Sequence, residues 1–184
     1  METKISLRRR VSRLLEEQSP ADRQHRNLAI QKKLKRLPAF KKARMVFFYV
    51  SRPEEVDTHP LIDEALAAGK RVAVPSSDLK TKKLSFFEIA DREKHLKLGV
   101  FDVLEPRPEL TKPVSAKDAD FVVVPGVVFD RKNRRVGHGA GFYDRFLKEI
   151  GSRTAKVGLA FSFQVVDEVP QEIHDVALDK VLTD

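Results

Sequence analysis

The residues of this chain best equipped for chemistry are concentrated between positions 122 and 147, VVVPGVVFDRKNRRVGHGAGFYDRFL. Gly137, Gly139 and Gly141 occupy alternate positions there, which removes side chains from a turn and lets backbone N–H groups approach an anion. Arg134 and Arg135 stand just before the turn, and their planar guanidinium groups match phosphate oxygens. Asp144 follows at the start of a helix-like segment, where a carboxylate can hold Mg²⁺ directly or through water beside a nucleotide. Together these parts suit phosphoryl transfer. The spacing is neither the dinucleotide fingerprint nor a P-loop, since the lysine and Ser/Thr of the latter are missing. The same residues also admit a plain reading, a structural glycine turn with Asp144 as a helix-start charge favoured by the dipole and His138 as a solvent-facing polar residue.

Such a turn needs a rigid frame, and the pattern along the chain supplies one. Residues 120–125, DFVVVP, form the clearest central strand, and residues 139–150 read as the helix that the glycine turn opens. Further apolar strands are expected at 45–50 (MVFFYV), 71–75, 84–89 and 156–161, with a last short one near 176–182. Between them, residues 4–17 carry apolar positions at helical spacing, Ser19 and Pro20 announce a second helix over 21–37, and Thr58 caps a third over 59–68 that closes at Gly69. The first two helices would cover one face of the sheet. The lysine-rich stretch SSDLKTKK, near position 80, reads as a mobile loop, and 99–113 as proline-punctuated and irregular. Alternating strands and helices predict one domain over residues 1–184 of the α/β class: a three-layer α/β/α architecture whose central sheet is mostly parallel. In such sheets ligands bind at the carboxyl ends of the strands, where the strand 120–125 delivers the glycine turn.

Composition narrows the function classes. Hydrophobic residues make up 41% and charged residues 34%, enough for a packed core beneath a charged surface. Cysteine is absent, which excludes disulfides, cysteine-ligated zinc and a thiol nucleophile. No apolar run approaches the length of a membrane span, and the start, METKISLRRRVSRLL, has no signal-peptide pattern, so a cytoplasmic protein without a membrane partner is expected. A net charge of +8 favours anionic partners, either nucleic acid or a smaller polyanion such as a nucleotide. No recognition-helix or RNP-like motif supports nucleic acid, which would also predict affinity that falls steeply with salt.

The segment PGVVFDRKNRRVGHGAGFYDRFL resembles the signature of the 5-formyltetrahydrofolate cyclo-ligase family, roughly PG-x-x-F-D-x-x-x-x-R-x-G-x-G-x-G-Y-Y-D. Lys4, Leu7 and Arg8 look like that family's N-terminal K-x-x-L-R, and Glu55-Val56-Asp57-Thr58 is similar to its E-V-[DE]-T. Phe142 replaces the first tyrosine of the signature, and Ala140 stands where the family often has glycine or lysine. The resemblance implies a fold of the NagB/RpiA/CoA transferase-like kind and an ATP- and Mg²⁺-dependent ligase, a monomer that cyclises 5-formyltetrahydrofolate, with or without a polyglutamate tail, to 5,10-methenyltetrahydrofolate. In that reaction the formyl oxygen is phosphorylated, N10 closes the ring, and ADP and phosphate are released. The implied catalytic residues are Arg135 and Asp144. ATP would be held by Lys4, Arg8, Arg134, Arg135, Gly137, His138, Gly139, Ala140, Gly141, Phe142 and Tyr143, and the folate by Arg52, Glu55 or Asp57, Phe142 and Tyr143. Mg²⁺ would sit on Asp144 with Asp179, or Asp175 in its place. A kinase or ligase for a different substrate on the same scaffold is the rival reading, because fold does not fix function.

Overall fold

The structure, a computed structural model, describes residues 2–99 and 102–184; Val100 and Phe101, inside the stretch expected to be irregular, lie outside the described residues. The chain opens with α1 (Lys4–Glu16), α2 (Pro20–Arg36) and the short α3 (Pro38–Lys42). Thr3 and Ser19 each cap the helix that follows by accepting a backbone N–H, from Ser6 and Asp22 respectively. Then come β1 (Met45–Phe47), α4 (His59–Ala67), β2 (Arg71–Asp78), β3 (Lys83–Ile89), α5 (Arg92–His95), β4 (Leu96–Leu98), β5 (Leu104–Pro106) and β6 (Lys112–Val114). The last third holds β7 (Phe121–Val124), β8 (Val128–Asp130), β9 (Arg135–Val136), α6 (Phe142–Phe146), β10 (Ala155–Leu159), β11 (Val165–Val166) and β12 (Lys180–Leu182).

Seven strands form the central sheet in the order β12-β10-β7-β1-β2-β3-β6. The first five run parallel, and β3 and β6 add antiparallel neighbours at one side. The continuous apolar runs exist because this sheet is buried on both faces and successive side chains point to opposite sides. Val46, Val72, Val74, Phe121 and Val123 face one core with Leu7, Val11, Ile30, Leu34, Leu61 and Ile62 from the helices α1, α2 and α4. Met45, Phe47, Ala73, Val122 and Val124 face the other, against Phe129, Phe146, Leu147 and Leu178. The α/β, three-layer expectation therefore stands, with α1 to α4 on one side and α6 on the other, while the β8 region contributes to both cores. No helix among the described residues is long and apolar enough to cross a membrane.

Several local expectations differ from what is observed. The helix expected over 139–150 shrinks to α6, because Gly139 (φ 108°) and Gly141 (φ 68°) lie outside helical backbone space and spend those residues on the turn. The lysine-rich stretch is the end of a β-hairpin: β2 and β3 pair as far as Asp78↔Lys83, which confines the loop to the turn at residues 79–82. Thr58 does not cap α4 with its side chain but donates to Tyr49 O at 2.7 Å, while Asp57 Oδ1 accepts His59 N–H at 2.9 Å. Strands β4 and β5 order part of the segment expected to be irregular. Against the second core, Phe86 stacks on Phe47 (4.6 Å) and packs on Phe146 (4.5 Å), which docks α6 onto the hairpin with about 0.5–1.5 kcal/mol per ring pair beyond burial.

Candidate active site

The signature segment builds its own scaffold before it reaches any ligand. Asp130, at the end of β8, is buried and accepts four hydrogen bonds: Lys132 N (2.9 Å) and Arg134 N (3.0 Å) on Oδ1, Arg134 Nε (2.6 Å) and Val169 N (3.1 Å) on Oδ2. Burial works against its ionisation, but these donors outweigh it and hold the carboxyl below the usual carboxylate range. The turn they close pairs β9 with β8, and neighbouring residues then leave the backbone in opposite directions. Arg134 turns outward to Asp130 and to Glu168 Oε1 (3.0 Å), whereas Arg135 turns inward. Arg134, expected on phosphate, therefore does not line the cleft.

Arg135 is 5% exposed, and its Nη2 donates to Asp144 Oδ1 at 2.9 Å, with Tyr143 beneath the guanidinium at 5.9 Å. Burial lowers its pKa while Asp144, Tyr143 and Asp175 raise it, and arginine stays charged throughout. Its Nε and the Tyr143 hydroxyl are buried, and among the described residues no protein group hydrogen-bonds either of them. Burial also pushes the Tyr143 hydroxyl far above its ordinary pKa, so it remains a neutral donor.

Above this pair opens a cleft of about 850 Å³. Its lining includes Lys4, Arg8, Arg52, Glu55, Arg135, every residue from Gly137 to Asp144, and Asp175. Helix α1 reaches it by its first turns: Arg8 Nε donates to Gly137 O at 2.6 Å, and Lys4, four residues earlier on the same face, pairs with Asp175 Oδ2 (2.6 Å) and Glu172 Oε1 (3.3 Å). From the loop after β1, Glu55 is fixed by Arg52 N (2.9 Å) and faces His138 Nε2 at 3.1 Å.

Two of the remaining expected residues are elsewhere. Asp57 spends its carboxylate on His59 N and the Ser51 hydroxyl and does not line the cleft, which separates it from Glu55. Asp179 binds Lys156 N (2.7 Å) and Nζ (3.0 Å) at the start of β10, the amino end of the sheet, opposite to the cleft. Of the two alternatives Asp175 is the one at the site: it lines the cleft together with Asp144, whose Oδ1 accepts the N–H of the neighbouring Val176 at 3.2 Å. Burial opposes ionisation of Asp175, yet Lys4 and Glu172 N hold it below the usual range, so both charge and hard oxygen are present at neutral pH. Two such carboxylates fit Mg²⁺.

Sequence reasoning missed the apolar walls: Tyr49 and Val50 beyond β1, Pro75 and Leu84 on the hairpin, and Pro125 after β7. For Tyr49, Val50 and Pro125 the available signal was their position just past the carboxyl ends of β1 and β7. Glu172 and His174, which also line the cleft, carried none. The cleft thus combines Lys4, Arg8, Arg52 and Arg135 with several carboxylates, Asp144 and Asp175 among them, and apolar walls, a combination that accepts a polyphosphate beside an aromatic ring.

Comparison with known proteins agrees with this chemistry. The profile of the 5-formyltetrahydrofolate cyclo-ligase family matches residues 1–184. The probable 5-formyltetrahydrofolate cyclo-ligase of Schizosaccharomyces pombe is 30% identical over 170 residues, covering 85% of this chain and 83% of that protein. The 5-formyltetrahydrofolate cyclo-ligase of Escherichia coli K12 is 32% identical over 142 residues, 77% and 78% of the two chains. The NMR structure of Aquifex aeolicus 5,10-methenyltetrahydrofolate synthetase shares 34% identity and a TM-score of 0.84 over 97% of this chain and 88% of that one. A family match from end to end, with relatives this similar over most of both chains, establishes that the protein belongs to the 5-formyltetrahydrofolate cyclo-ligase family and is a ligase.

Proposed function

We propose that this protein uses ATP and Mg²⁺ to convert 5-formyltetrahydrofolate to 5,10-methenyltetrahydrofolate, ADP and phosphate, as a cytoplasmic monomer. The observation that carries the reading is the pairing of buried Arg135 with half-buried Asp144 beneath the glycine turn, with Lys4, Arg8 and Asp175 converging on the same cleft. The formyl oxygen is a poor leaving group as hydroxide. In the proposed reaction it attacks the γ-phosphorus, ADP departs, N10 adds to the activated carbon and loses its proton, and the oxygen leaves as phosphate.

No protein nucleophile is needed, so the side chains act by binding and orientation. Arg8 and Arg135 neutralise the growing charge on the phosphate oxygens, and Lys4 can exchange Asp175 for phosphate because its ammonium rotates on a flexible stem. Backbone N–H groups of the 137–141 turn supply further donors. Tyr49, Val50, Pro75, Leu84 and Phe142 offer flat apolar surface to the pterin, with Glu55 as an acceptor. Asp144 and Asp175 would hold Mg²⁺, which when bound neutralises and orients the transferring phosphate group.

On helix α1, Lys4 and Arg8 turn into the cleft, while Arg10 pairs with Glu2 and Arg13 with Glu17 at the surface. The test is direct. Purified protein mixed with Mg-ATP and 5-formyltetrahydrofolate should form the methenyl product, followed by its absorbance, with one ADP per turnover. ATP turnover without methenyl formation would assign the cleft to a different acceptor and sink the folate reading.

A further inference from the structure

One exposed side chain outside the cleft lining bridges two segments that border the site. Arg145 Nη2 donates to Ala140 O at 2.7 Å, its Nε donates to Lys82 O at 3.0 Å, and its guanidinium lies over the Phe142 ring at 5.9 Å. Lys82 is the tip of the β2–β3 hairpin, whose arms bring Pro75, Ser77 and Leu84 to the cleft. Both tethered carbonyls border residues in the left-handed region, Lys82 itself (φ 53°) and Gly141 (φ 68°) after Ala140. For Lys82, a non-glycine residue, that conformation carries strain which its surroundings must hold, whereas Gly141 adopts it freely.

We infer that Arg145 is a positioning residue that aims the nucleotide-binding turn and couples it to the folate side of the cleft. A trans peptide points its C=O and the following N–H in opposite directions. Pulling Ala140 O outward to Arg145 therefore directs Gly141 N–H inward, to the cleft that Ala140 and Gly141 line. The second bond, to Lys82 O, makes the turn and the hairpin tip share one rigid planar group. Displacement of the hairpin by a bound pterin then moves the turn, and occupancy of one half alters affinity in the other. By linkage the effect is reciprocal.

This rests on the proposed function, and the experiment separates the two. Binding of a non-hydrolysable Mg-ATP analogue is measured by calorimetry with and without 5-formyltetrahydrofolate, alongside steady-state rates and melting curves. Arg145→Met should weaken nucleotide binding about tenfold and raise KM for ATP alike, with kcat at saturation kept within about threefold, because Arg145 touches no reacting atom. Arg145→Lys, which reaches one carbonyl but cannot fork to both, should recover most of the affinity and none of the coupling. Replacing residues 79–82 by Asn-Gly, a two-residue turn that keeps the hairpin register, should leave nucleotide affinity within about twofold and abolish the response to folate. Wild-type protein that binds nucleotide identically with and without folate, or variants that lose only melting temperature, would overturn the inference. Should Arg145→Met fail to fold, the lysine and hairpin variants decide it. A wild-type protein that neither binds the analogue nor makes methenyl product would sink the function itself.

Discussion

Gly137→Ala tests whether the arginine beneath the glycine turn is held as tightly as the geometry requires. An added Cβ would stand 2.9 Å from Arg135 Nη1, closer than real Cβ atoms come to anything, and Gly137 is not among the glycines with positive φ. The backbone therefore accepts alanine, and the whole effect must pass through the guanidinium. Restoring ordinary contact, 3.4 Å or more, moves Nη1 by about 0.5 Å. Because the group is planar and 5% exposed, that displacement is carried to Nη2 and stretches its 2.9 Å bond to Asp144 toward the limit of a hydrogen bond. Losing much of a hydrogen bond to a charged group costs about 1.5–3 kcal/mol. If that energy acts in the transition state, kcat falls roughly 10- to 100-fold. The same loss in the ground state lowers Tm by roughly 3–12 °C for a chain of this size. Methenyl formation at saturating Mg-ATP and folate gives the first number and a thermal melt the second. A variant with kcat within twofold of wild type and an unchanged melt would refute the claim that Arg135 is fixed by packing.

Other outcomes follow from the same geometry. Asp144→Asn keeps an oxygen for Arg135 and Val176 but removes the charge, so the fold should persist while Mg²⁺-dependent turnover drops at least about 100-fold; full activity would reject the metal assignment. Asp175→Asn should act in the same direction, whereas Asp179→Ala should leave turnover within about threefold, and steady-state assays that rank them the other way would restore Asp179 to the site. Asp130→Ala removes four accepted hydrogen bonds and leaves the backbone N–H groups of the turn and of Val169 without their acceptor, costing about 3–5 kcal/mol and lowering the melting temperature by roughly 6–20 °C. Since the folded Asp130 carboxyl titrates below its unfolded value, its contribution is complete above about pH 4 and is lost as pH falls through the folded pKa; melts of wild type and Asp130→Asn should therefore converge below about pH 4.

Local chemistry was legible in the residues alone. The alternate glycines, Arg135 and Asp144 sit close together in the chain, and short-range spacing is enough to see that a turn, a cation and a carboxylate gather there, although their pairing with each other was not legible. The strands of the parallel sheet were equally readable, since burial on both faces leaves an unbroken apolar run at β1 and β7. The limits of the helix after the turn were not, because Gly139 and Gly141 look like helix starts in sequence and are used as left-handed turn residues in space.

What tertiary structure alone decided is which distant residues meet. Lys4 and Asp175 are 171 positions apart, and Glu55 and His138 are 83 apart, yet each pair is in contact at the cleft. Asp57 and Asp179 have the same chemistry as Glu55 and Asp175, and nothing in their spacing marks them as members of the scaffold. Their carboxylates are taken by backbone N–H groups, one at the start of α4 and one at the amino end of β10. A carboxylate is a ligand only where the fold leaves its oxygens facing a cavity, and that depends on how loops cross the ends of the sheet, which no local pattern encodes.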